Sequence, residues 1–254
     1  MKGKFVMVDG LDASGKSTII HALENWAKSH NMKILNIENY FEEKKDFPTQ
    51  EDLNNCDVIV SSEPTPFYVG KAIKEELVNQ SERDYSVMSV AQAFALDREI
   101  LYKRLLIPAL KLGKFVFQEG GIVTSFIYQP VQGRISLNDL MHLPGNKLAL
   151  ENAPDLLIIT KVDPEVVMQR IEQRNKKRSI FENLFFQRKL SERYYSMWLK
   201  QLFENFNSTV AYIDTNPPKL VDELSREVTA LWDDFLKKKV ASAQSGDVQE
   251  KNVL

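Results

Sequence analysis

Cysteine is all but missing: Cys56 is the single one in 254 residues. No disulfide can therefore close within the chain, and a reducing compartment, the cytoplasm, is the expectation. Cys56 itself, just before an apolar run, reads as a small core residue. Histidine is scarce too. His21, His30 and His142 are the only three, and none stands at metal-ligand spacing, which argues against a zinc site. Nowhere do roughly 18 apolar residues follow one another, which excludes a membrane-spanning helix. The N-terminus enters an apolar stretch within a few residues, so no signal peptide is expected. Neither sign of charge dominates. With 33 basic against 35 acidic residues the formal net charge is −2, which argues against nucleic acid or a membrane surface as the main partner. There is no internal repeat. The remainder, 43% hydrophobic and 27% charged, is ordinary for a globular chain, long enough to bury an α/β core without covalent staples.

The most informative stretch is Gly10-Leu11-Asp12-Ala13-Ser14-Gly15-Lys16-Ser17-Thr18. It has the phosphate-loop spacing of glycine, four residues, then glycine-lysine-serine/threonine. Lys4 to Asp9 before it reads as a buried strand. Ile19 to His30 after it reads as an amphipathic helix with Ile19, Ile20, Leu23, Trp26 and Ala27 on one face. Gly10 and Gly15 permit the tight turn that aims main-chain N–H groups inward, and the helix start adds partial positive charge. Gly10, Ala13, Ser14, Gly15, Lys16, Ser17 and Thr18 are thus the candidate nucleotide-phosphate residues. Lys16 can reach the terminal phosphates, and Ser17 can ligate Mg²⁺. A plain glycine-rich turn capped by Ser14 or Ser17 would leave a lysine amid an anion nest with nothing to bind.

Further strands are predicted over Met32–Ile37, Asp57–Ser62, Phe115–Glu119, Leu156–Thr160 and Val210–Asp214. Helices are predicted over Gly70–Asn79, Tyr85–Leu110 (with Pro108 near its end), from Thr124, from Ser136, over Val166–Arg174 behind an Asp163-Pro164-Glu165 start, over Leu184–Asn205 and over Lys219–Lys239. Glu38 to Asn55 reads as a surface connection, with a short helix from Thr49 whose Asp52 completes a capping-box pattern. Residues 1–239 form one domain in this reading, with a mobile lid at about 174–183, and residues 240–254 form a disordered tail. Short apolar strands alternating with helices give the fold class: α/β, a parallel sheet of about five strands covered by helices on both faces, with phosphate-loop kinase architecture. Ligands in such sheets gather at the carboxyl ends of strands. Asp9 and Glu119 stand at such ends, and Glu119 is placed to hold Mg²⁺ through water together with Ser17.

The motifs, in order and at spacing, resemble the thymidylate kinase family of nucleoside-monophosphate kinases. Besides the phosphate loop they are Glu63-Pro64, Phe94-Ala95-Leu96-Asp97-Arg98, Ile107-Pro108-Ala109-Leu110 with Gly113, Ser125 through Tyr128-Gln129, Pro154-Asp155-Leu156, Asp163-Pro164-Glu165-Val166, and Arg178 through Phe185-Phe186 to Arg193-Tyr194. The likeness covers residues 4 to about 216. It implies transfer of the γ-phosphoryl of ATP to dTMP, with Mg²⁺, in a homodimer. It implies that Asp12 lies near the acceptor's sugar and the transferring group, that Phe94 stacks on the acceptor base, and that Arg98 contacts a base carbonyl. Glu63, Pro64, Ser125, Tyr128 and Gln129 join the acceptor site on the same ground. Phe94, taken alone, reads rather as a core aromatic of an amphipathic helix; Arg98, one turn further on the same face, favours the site. Arg174-Asn175-Lys176-Lys177-Arg178 matches the family's lid. With alanine at position 13, the transition-state arginine is expected from there, Arg178 with Arg174 in reserve.

The chain departs from the family twice. Gly120 stands where an arginine follows the strand-end carboxylate, and Ser62 stands where an arginine precedes Glu63-Pro64. Both arginines serve the acceptor phosphate, which is held less well without such forks. Glycines at 120 and 121 would make room for a bulkier acceptor. A thymidylate kinase with substituted contacts, a kinase for another nucleotide or a nucleoside, and a degenerate homologue all fit. From another class, Thr160-Lys161-Val162-Asp163 spells the guanine-reading signature of GTP-binding switches, although no aspartate-x-x-glycine segment precedes it. A non-catalytic scaffold is a third reading.

Overall fold

The computed structural model describes residues 3–78, 83–173 and 183–250, with side chains described as far as 238 at the C-terminal end. Its centre is β1 (Phe5–Asp9), buried at every position. Around it stand β2 (Ile34–Asn36), β3 (Val58–Ser62), β4 (Phe115–Glu119), β5 (Leu156–Lys161) and β6 (Thr209–Asp214), in the order β2-β3-β4-β1-β5-β6. All pairings are parallel. The sheet has six strands rather than about five; the two edge strands are the least buried.

Alternation along the strands builds two cores. Phe5 and Met7 of β1 face one core with Ile59, Val116, Leu157 and Ile159. Val6 and Val8 face the other with Val58, Val60, Phe117 and Ile158. That second core is closed by α1 (Lys16–Ser29) and α13 (Val221–Glu250). Trp232 of α13 is fully buried there against Trp26, Phe115 and Phe117. α13 runs on past Lys239, where the last helix was expected to end, and residues 251–254 lie outside the described residues.

The segment read as a surface connection carries two helices, α2 (Ile37–Lys44) and α3 (Gln50–Asn54). Asn36 caps α2 by accepting from the N–H groups of Glu38 and Asn39. Thr49 and Asp52 form the expected capping box on α3. α4 (Tyr68–Ala72) continues as a π turn, Ile73–Leu77. The long helix predicted over Tyr85–Leu110 is α5 (Val87–Leu101), a π turn (Tyr102–Leu106) and α6 (Ile107–Lys111). Pro108 offers no N–H and crowds the preceding turn, and the ladder widens there, with Ile107 N–H donating to Tyr102 O. α7 (Ile122–Gln132) follows β4, and two helices rather than one fill the connection to β5, α8 (Leu137–His142) and α9 (Pro144–Glu151). After β5 comes α10 (Pro164–Glu172). The helix predicted over Leu184–Asn205 is broken into α11 (Leu184–Tyr194) and α12 (Met197–Asn205). At the break the Tyr195 hydroxyl accepts from Val162 N–H at 2.9 Å, tying the turn to the end of β5. No helix among the described residues is long and apolar enough to cross a membrane.

Candidate active site

The loop between β1 and α1 is shaped by positive φ angles, 147° at Gly10, 54° at Ala13 and 95° at Gly15. At Gly10 a Cβ would fall 1.9 Å from Thr160 Oγ1, so only glycine fits. The loop is held from behind. Ser14 and Thr160 share a hydroxyl–hydroxyl hydrogen bond of 2.6 Å. Arg170 donates to Ala13 O at 3.2 Å and Thr215 O at 2.7 Å, and the Thr215 hydroxyl donates to Ser14 O at 2.7 Å. The Lys16 ammonium lies over the loop, donating to Gly10 O at 3.1 Å and Leu11 O at 2.8 Å. Thr18, two residues further on, lines the cavities on both sides of the loop.

Beneath the loop, Asp9 is fully buried. Its carboxylate accepts from Gly10 N–H at 2.7 Å, from the N–H and hydroxyl of Thr124, and from the Tyr194 hydroxyl at 2.7 Å. Burial holds its pKa above the usual carboxylate value, against the pull of Lys16 and these donors. On the neighbouring strand, Glu119 pairs in register with Val8. Glu119 Oε1 accepts from Ser17 Oγ at 3.1 Å. A hydroxyl and a carboxylate side by side, both hard oxygen donors, suit Mg²⁺. No cluster of three or more histidine, cysteine or acidic ligands occurs among the described residues.

A cavity of about 650 Å³ opens from the loop toward α5 and α7. Lys16, Ser17, Asp12 and Glu119 line one end. Glu63, Pro64, Phe94, Arg98, Ser125, Tyr128 and Gln129 line the other. Phe94 is half-buried and belongs to neither core cluster among the described residues. Arg98 is fully buried and pairs with Glu63 at 2.7 Å. It also donates to Ser125 Oγ at 3.0 Å and to Asn146 Oδ1. Burial, the largest cause, pushes Glu63 up to about 7 despite Arg98. Gln118 supports Glu63 from β4 by donating at 2.9 Å. Burial also pushes the Tyr128 phenol well up, with the nearby Asp12 and Asp9 charges adding to it. Gln129 is buried, and its Oε1 has no partner among the described residues. A second cavity of about 270 Å³ lies behind the loop, between Arg170, Thr215 and Lys219.

Of the two departures, the glycine at 120 is explained by the backbone. Gly120 sits at φ 71°, and a Cβ there would meet Glu63 O at 3.0 Å. At Gly121 a Cβ would meet Met7 Cε, the end of a flexible side chain, at 2.7 Å, and both glycines line the cavity. Ser62 donates to Glu38 Oε1 at 2.7 Å. Arg174 and Arg178, with the rest of the expected lid up to 182, lie outside the described residues. Thr160, in the guanine-signature stretch, is fully buried against Ser14 and the loop, and Asp163 is the cap of α10. Thr124, Arg170, Gln118 and Asn146 carry no role in the sequence reading, and Asp9 and Tyr194 enter it only as a strand-end carboxylate and a motif position, since each acts through a contact distant along the chain.

A six-stranded parallel sheet, a phosphate loop after its central strand and a carboxylate on the adjoining strand define a phosphate-loop kinase. The thymidylate kinase family model matches residues 49–228, and the chain belongs to that family. It is similar to the thymidylate kinase of Caldicellulosiruptor saccharolyticus, 29% identical over 241 residues, covering 94% of this chain and 100% of the relative. It is similar also to the probable thymidylate kinases of Pyrobaculum aerophilum, 32% identical over 190 residues (75% and 80% covered), and Pyrococcus abyssi, 29% over 234 residues (91% and 96%). Membership makes the protein a nucleoside-monophosphate kinase.

Proposed function

We propose that the protein transfers the γ-phosphoryl group of ATP to dTMP, giving dTDP. The observation that carries this is the single cavity with the phosphate loop at one end and Phe94, Arg98, Ser125, Tyr128 and Gln129 at the other. The donor's terminal phosphates and the acceptor can then meet in line within it. Such chemistry asks the protein for position and charge rather than covalent help. Lys16 and the amides of residues 10–18 hold the donor's terminal phosphates. Mg²⁺ held by Ser17 and Glu119 would neutralise charge on those phosphates. The smaller cavity beside Arg170 and Thr215 takes the donor's base. Phe94 stacks on the acceptor base, which is worth about 1–3 kcal/mol. A base N–H would satisfy the orphaned Gln129 oxygen. Asp12 lies at the cavity's reacting end beside Tyr128, and on the family resemblance Arg178, with Arg174 in reserve, is the arginine that neutralises transition-state charge.

In the same reading two copies pair as a homodimer in the cytoplasm; exposed Met88 and Leu96 on α5 are candidate contacts. The test is ADP release from ATP and Mg²⁺ with a panel of nucleosides and nucleoside monophosphates. Turnover is expected with dTMP above all others. Turnover of nucleosides alone would overturn the assignment.

A further inference from the structure

Among the side chains on the cavity wall that this function leaves unused are Glu38, Ser62 and Lys74. Glu38 Oε1 accepts from the Ser62 hydroxyl at 2.7 Å and from the Lys74 ammonium at 3.0 Å. Ser62 ends β3 and is the register partner of Glu119, whose carboxylate touches Ser17. Adjacent strands lie about 4.8 Å apart, so an anion seated on Ser62 and Lys74 sits beside the phosphate loop. Among the described residues, the other cations lining the cavity are Lys16, which covers the loop, and Arg98, whose charge Glu63 meets. Lys74 is offered from the π turn that follows α4, an irregularity of the kind common at functional sites. The Lys74–Glu38 pair is open to water, 40% and 48% exposed, and such pairs exchange easily.

We infer that Ser62 and Lys74 form the seat of the acceptor's phosphate, and that Glu38 is the resident carboxylate which that phosphate displaces. Lys74 then supplies, from a helix, the charge that positions 62 and 120 lack. A phosphate monoester carries nearly two charges at neutral pH and displaces a carboxylate. The inference rests on the dTMP assignment above.

The test compares Lys74→Ala, Lys74→Arg and Glu38→Gln with the unsubstituted enzyme. The readouts are KM for dTMP, KM for ATP and inhibition by thymidine, which has the base but no phosphate. Lys74→Ala should raise KM for dTMP about tenfold or more, the cost of one charge-assisted contact. Thymidine inhibition and KM for ATP should stay within about twofold, since neither involves that contact. Lys74→Arg should restore dTMP binding, and Glu38→Gln should tighten it. Equal weakening of dTMP and thymidine, or weaker dTMP binding in Glu38→Gln, would overturn the inference. So would an unchanged KM for dTMP in Lys74→Ala, with the dTMP assignment left standing. An unsubstituted enzyme that neither binds nor phosphorylates dTMP overturns both.

Discussion

Glu63 and Arg98 meet at 2.7 Å in an ion pair from which water is excluded, with side chains 2% and 1% exposed. The pair underlies the acceptor end of the cavity, where Gln118, Ser125 and Asn146 add hydrogen bonds to it, while Arg98 Nε has no partner among the described residues. Burial outweighs Arg98 in setting Glu63, whose pKa stands at about 7 against an ordinary 4.5. The native state therefore holds this proton more tightly than the unfolded chain. The stability it contributes is full below 4.5 and is lost as pH rises through about 7. Glu63→Gln cannot titrate. Urea unfolding of both proteins across that window should show the unsubstituted enzyme losing roughly 3 kcal/mol relative to the variant as pH rises. A difference independent of pH would show that Glu63 stays ionised throughout.

The Ser17–Glu119 contact leads to a metal-dependence prediction. Removing the carboxylate's charge while keeping its shape, as in Glu119→Gln, leaves the loop, Lys16 and the acceptor end in place. The Mg²⁺ concentration for half-maximal activity should rise about tenfold or more, the range seen when a metal site loses a supporting carboxylate. Nucleotide binding measured without Mg²⁺ should be little affected. A titration of activity against Mg²⁺ at saturating ATP decides it.

Restoring the family's arginine at position 120 should fail. A side chain at φ 71° is strained, and its Cβ would press on Glu63 O. Gly120→Arg is therefore expected to cost about 1–3 kcal/mol of stability without lowering KM for dTMP. Thermal unfolding and KM measured on the same preparation check both halves. A stable variant with tighter dTMP binding would mean that the turn after β4 relaxes to accept a side chain.

What was legible from sequence was local. The phosphate loop announces itself because its glycines, lysine and serine stand at fixed spacing. The six strands were located because buried parallel strands are short apolar runs. The breaks in long helices were not legible. Tyr194 and Tyr195 carry no helix-breaking chemistry, and the break comes from a hydroxyl bonded to Val162, distant in sequence. Glu63 and Arg98 were each picked out as site residues, yet no spacing rule could say that they neutralise each other. Lys74 escaped notice for the same reason: on sequence it is one lysine on a polar helix face.

The Tyr194–Asp9 bond offers a test of how the loop is anchored. Tyr194 donates at 2.7 Å to a carboxylate that also holds Gly10 N–H and Thr124. Tyr194→Phe keeps the ring in its fully buried place and removes only the donor. A buried group that loses a bond to a charged partner costs about 1.5–3 kcal/mol. The cost should depend on pH. Tyr194 favours the ionised form of Asp9, whose pKa is already raised by burial. Without that donor the folded pKa rises further, and more stability is lost as pH climbs through it. Tyr194→Phe should thus be nearly harmless in acid and increasingly destabilising toward neutral pH. Its urea midpoint should shift with an unchanged slope. A destabilisation that grew on acidification instead would mean that the phenol bonds to a neutral Asp9, and that the loop is fixed by Thr160, Arg170 and Thr215 alone.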